Sequence, residues 1–205
     1  MAFLDIMHRL LRQSDVSLDS RFTRAEVLRQ RLAEDPNDIA SFEELAQIVR
    51  DVYEQSEPSD PLRADTTGSI EFTADLALWA LSEEIGASPD AWYPLVALAR
   101  LSVDSDRETA LRRLSVAADR DSSGQALAAG IRVLREAGLP SAGIGLGLGR
   151  WRPEDQVFDV GEQLVRAALE AGRVAEAKEF LSKLPTRGHS DEIESLRSTI
   201  SYFEE

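Results

Sequence analysis

The sequence predicts an all-α protein, on three observations. Apolar residues recur three and four apart through most of the 205 residues, Ser, Thr or Asp stands three residues before Glu at the head of several such runs, and strict alternation of apolar and small residues occurs in one glycine-rich stretch only. The first pattern is the buried stripe of a helix and the second is a helix start.

Taken in order, residues 2–13 form an amphipathic helix whose Phe3, Met7, Leu10 and Leu11 need a surface to cover them. A helix at 22–34 opens at Thr23 with Glu26, and one at 38–53 opens at Ser41 with Glu44, burying Phe42, Leu45, Ala46 and Val49. The stretch EQSEPSDPLRADTTGS at 54–69 is polar and carries Pro58, Pro61 and Gly68, which predicts an exposed loop. Helices at 70–86, 90–103 (Leu95, Leu98, Ala99 on one face), 106–120 (Ser105 with Glu108) and 123–137 follow. A short helix at 141–150, one at 153–171 (Asp159 with Glu162; Leu164, Val165, Ala168 buried) and one at 173–184 come next. The last, at 189–204, is an amphipathic cap with Ile193, Leu196, Ile200 and Phe203 on one face. Connections are short, as between antiparallel neighbours.

Internal repetition is visible. VLREAG at 133–138 recurs as AALEAG at 167–172. Pro36 precedes Phe42 by six positions, with Leu45, a small Ala46 and Val49 beyond, and Gly172 precedes the small Ala177 by five, with Leu181 and Leu184 beyond. These spacings resemble the tetratricopeptide repeat over roughly residues 22–190, clearly near 36–49 and 160–184 and degenerately between. The resemblance implies an α-solenoid of antiparallel helical hairpins in a single domain over 1–205. An N-terminal helix and linker would occupy 1–20, the degenerate repeats 22–190, and a C-terminal capping helix 191–205. It also implies protein binding, and it brings no catalytic residues.

The 23 basic and 37 acidic residues give a net charge of −14, which argues against nucleic-acid binding. Residues 1–31 are the exception, with six arginines against four acids. The absence of cysteine excludes thiolate chemistry and disulfides and fits the cytoplasm. No apolar run is long enough to span a membrane, and the N-terminus does not read as a signal peptide.

The unusual stretch is SAGIGLGLGRWRPED at 141–155, in which Gly143, Gly145, Gly147 and Gly149 alternate with Ile144, Leu146 and Leu148. A phosphate loop would need Lys and then Ser or Thr after the last glycine, where Arg150 and Trp151 stand. A lone strand would have no partner. A helix approached closely by a neighbour is the remaining packing solution, with Gly143/Gly147 and Gly145/Gly149 as i,i+4 pairs and Ile144, Leu148 and Trp151 on another face. The competing reading is a recognition segment. The sequence predicts opposite effects of alanine on the two glycine pairs.

Other chemistry is sparse. DRDSSG at 119–124 starts like a calcium loop, but Gly130 occupies the position of the bidentate carboxylate; the plain reading is a turn capped by Ser122 or Ser123. His8 and His189 are the only histidines, and no metal site or cofactor is expected. In the repeat register, a partner-binding face would run through Glu43, Gln47 and Arg50, then Trp92, Leu95 and Ala99, then Ala129 and Val133, and finally Glu162 and Arg166. The alternative is that the central, apolar members are simply core. The function these features predict is a non-enzymatic scaffold or adaptor binding a protein or peptide. A structural subunit of a larger complex, or a carboxylate-dependent enzyme, are the alternatives.

Overall fold

The computed structural model describes residues 17–55 and 67–203, and all regular structure among them is helical. The helices are α1 (Ser17–Glu34), α2 (Ile39–Gln55), α3 (Thr67–Gly86), α4 (Tyr93–Ser102), α5 (Arg107–Arg120), α6 (Gln125–Glu136), α7 (Pro140–Gly147), α8 (Phe158–Glu170), α9 (Val174–Ser182) and α10 (Ser190–Tyr202). The helix expected at 2–13 and most of the loop expected at 54–69 lie outside the described residues. At its edges that stretch is helical, since 54–55 close α2 and 67–69 open α3. The chain divides into two compact units, Met1–Leu101 and Ser102–Glu205.

The expected helix starts are displaced. Thr23 lies inside α1, and Ser41 inside α2. There Asp38 does the capping, accepting the Ser41 backbone N–H at 3.1 Å together with the Ser41 hydroxyl. Asp106, not Ser105, accepts the Thr109 N–H at 3.0 Å and caps α5. The helix expected from 153 begins at Phe158, so Asp159 sits in its first turn rather than at the cap. In the DRDSSG turn it is Asp121 that accepts the Ala126 N–H at 2.7 Å, with Ser123 reaching the Gln125 N–H at 3.3 Å. The reason is common to Asp38, Asp106 and Asp121: a carboxylate is a stronger acceptor for an orphan amide than a nearby hydroxyl.

In the first unit, α2 packs on both α1 and α3, with Leu28, Leu32, Leu45, Val49 and Leu81 fully buried. Asn37, in the turn before α2, ties that turn to the start of α4. Its Oδ1 accepts the N–H groups of Trp92 (2.7 Å) and Tyr93 (3.1 Å), and its Nδ2 donates to the Asp90 carbonyl (2.8 Å). Two amides at the start of α4 are thereby capped from another hairpin. The Tyr93 ring stands edge-on to Phe42 at 5.3 Å, and its hydroxyl donates to Glu43.

In the second unit each helix from α5 to α10 packs on the next, and α5·α7, α6·α8 and α8·α10 also touch. The turns after α6 and α8 share their central hydrogen bonds. Gly138 (φ +70°) donates to Arg135 O and Leu139 N–H to Leu134 O; Gly172 (φ +71°) donates to Leu169 O and Arg173 N–H to Ala168 O. The bond from Gly143 N–H to Leu139 O recurs as Ala177 N–H to Arg173 O. All three pairs of bonds follow the register that aligns 133–138 with 167–172. Both turns place at their centre a left-handed residue, which is unstrained only as glycine.

The glycine stretch is helical through Gly147 only. Three glycines inside α7 disfavour it by about 3 kcal/mol relative to alanine, and packing offsets this at two of them. A Cβ on Gly147 would lie 2.6 Å from Leu164 Cδ2, and one on Gly143 3.2 Å from Ile131 Cγ2, while Gly145 faces open space. The expectation for the fourth position is corrected: Gly149 lies beyond the helix at φ +78°. The expected Ile144–Leu148–Trp151 face is also corrected. Ile144 is buried, Leu148 is 60% exposed, and half-buried Trp151 stands edge-on to Phe180 at 5.8 Å. Gly161 of α8 makes room for that indole: a Cβ there would lie 2.6 Å from Trp151 Cζ2 and closer still to Leu184 Cδ2. At the C-terminal end Ile193, Leu196 and Ile200 are buried as expected, but Phe203 falls past the end of α10 and is half exposed.

Alanine substitutions should therefore separate in thermal or urea unfolding. Gly161→Ala and Gly147→Ala should destabilise by about 1–3 kcal/mol through overpacking. Gly143→Ala should be nearly neutral, because propensity offsets a small clash, and Gly145→Ala should stabilise by about 0.5–1 kcal/mol. Gly149→Ala should destabilise although nothing stands nearby, because its φ is left-handed. A stabilising Gly147→Ala would refute the close approach of α7 and α8.

A second expectation concerns acid. Hydrogen bonds from the Thr109 hydroxyl and backbone N–H hold the Asp106 carboxyl below its ordinary range, and those of Ser41 do the same for Asp38. A depressed folded-state value means this stabilisation is complete above the unfolded carboxylate pKa of about 4 and is lost as pH falls through the folded value. Asp106→Asn keeps an acceptor but cannot titrate, so its deficit in melting temperature at pH 7 should shrink steadily below about pH 4. A constant deficit would mean that the charge of Asp106 contributes nothing.

Candidate functional site

The side chains expected to form a binding face separate into core and surface. In the first unit Trp92 and Ala99 are buried and Leu95 is half-buried against Gly86. Glu43, Gln47 and Arg50 are exposed on α2, with Glu43 accepting from Tyr93 and Gln47 donating to Asp51 at 2.7 Å. In the second unit Val133 is buried and Ala129 half-buried. Trp92, Ala99 and Val133 thus lie in the cores of their units, where a helix stripe of apolar residues belongs. Gly143, Gly147 and Trp151 take part in packing, and Gly145 and Gly149 face outward.

Glu162 and Arg166 are brought into a different setting. Glu162 pairs with Arg166 on α8 itself, while Arg166 and Gln163 of α8 face Arg132 and Arg135 of α6 across a depression of about 310 Å³. It is lined by Arg132, Arg135, Glu136, Gln163, Arg166 and Glu170. Three arginines face it, and their roles differ. Arg135 spans the helices: its Nε donates to Glu170 at 3.0 Å, Nη2 to the other Glu170 oxygen, and Nη1 to Gln163 Oε1. Only 16% of its side chain is exposed. Arg132 reaches Asp159 at 2.7 Å, and Arg166 holds Glu162 through two nitrogens at 3.0 and 2.8 Å. These two are exposed at 46% and 42%.

The local sequence explains the arrangement. Arg135 lies in the last turn of α6 and Asp159 in the first turn of α8, the ends at which each charge is favoured by the helix dipole. Glu162 precedes Arg166 by four positions, the better orientation for an intrahelical pair. Gln163 is 5% exposed, and its amide is used twice, accepting from Arg135 and donating to Asp159 at 2.8 Å. The expected face was one position out of step between the two helices. The register that aligns 133–138 with 167–172 matches Arg132 with Arg166 and Ala129 with Gln163, not Val133 with Arg166 or Ala129 with Glu162.

His189 precedes α10 and its ring stacks on Phe158 at 4.1 Å, while His8 lies outside the described residues. Among the described residues no group of three or more acidic or histidine side chains could hold a metal ion, and no helix is long and apolar enough to cross a membrane. Buried and exposed pairs should respond differently to truncation. Arg135→Ala should cost about 1.5–3 kcal/mol, since it strips both bonds to Glu170 and leaves Gln163 buried with one partner fewer. Arg132→Ala should cost less than about 1 kcal/mol, as exposed pairs do. Equal effects in urea unfolding would refute the bridging role of Arg135. No family model, curated protein or solved structure matches the chain.

Proposed function

We propose that the protein is a non-enzymatic interaction scaffold in which stacked helical hairpins, similar to tetratricopeptide repeats, hold a protein or peptide partner on the α6–α8 face. The observation that carries this reading is the recurrence, one hairpin further on, of the central hydrogen bonds of the turn after α6 in the turn after α8. A hairpin pair that repeats in this way stacks first helix on first helix, and the resulting face is available to a partner. The α6–α8 packing and the open, arginine-lined depression suit that use. The cysteine-free, acidic composition fits a cytoplasmic protein that avoids nucleic acid. A structural-subunit reading has one observation in its favour: Tyr202 and Phe203 are 78% and 49% exposed at the end of α10, where another subunit would cover them.

The test is a photo-crosslinking amino acid placed at Ala129 and Glu136 on the α6–α8 face, and at Ser195 of α10 as control, in lysate of the native host. Discrete adducts should form from the first two positions alone. Adducts equally abundant from Ser195 would remove any privilege of this face, and adducts from Ser195 alone would favour the structural subunit.

A further inference from the structure

We draw no further inference here: the strongest candidate, the outward surface of α7 and the turn after it, where Ser141, Gly145, Leu148 and Gly149 are exposed, is a stripe of small residues beside one leucine, and nothing in the structure shows what covers it.

Discussion

Leucine against glycine is the contact on which residues 102–205 depend. Leu146 of α7 presses on Gly130 of α6, Leu164 of α8 on Gly147 of α7, and Leu184 together with Trp151 on Gly161 of α8. Each time the side chain on one element fills the hollow that a missing Cβ leaves on the next, so backbones approach more closely than larger residues would allow. The arrangement also explains why α7 tolerates a composition that would disfavour an isolated helix. Its stability is supplied by neighbours and not by propensity.

Much of this was legible in the residues. The 3.6-residue period placed eight of the ten described helices within three residues at either end, because burying one stripe is what the period encodes. The pairing of Gly143 with Gly147 was legible as spacing. Which pair faces inward was not, since that depends on Ile131 and Leu164, residues of other helices. Gly149 looked like part of the same pattern and belongs instead to the turn, its positive φ a property of backbone that spacing does not carry.

The capping residues show the same division. A carboxylate next to Ser or Thr competes for the same orphan amides, so spacing alone left Asp38 and Asp106 overlooked in favour of Ser41 and Ser105. Asn37 is further from reach. It caps α4 from a distant part of the chain, and a side chain that serves a remote helix leaves no local signature. In the candidate site Arg166 and Glu162 could be named from register, while Arg135 and Gln163 could not, because their importance comes from burial against each other.

The neighbour-by-neighbour packing of α5 through α10 has a consequence for how this half of the protein reaches its structure. Almost every contact that builds it joins helices one or two places apart in the chain, so little loop-closure entropy must be overcome before contacts reward it. Nucleation can begin at more than one hairpin, and each completed seam presents a ready surface to the helix that follows. As the chain leaves the ribosome, α6 and α7 have what they need to close on each other before α8 exists, and assembly proceeds in the order of synthesis.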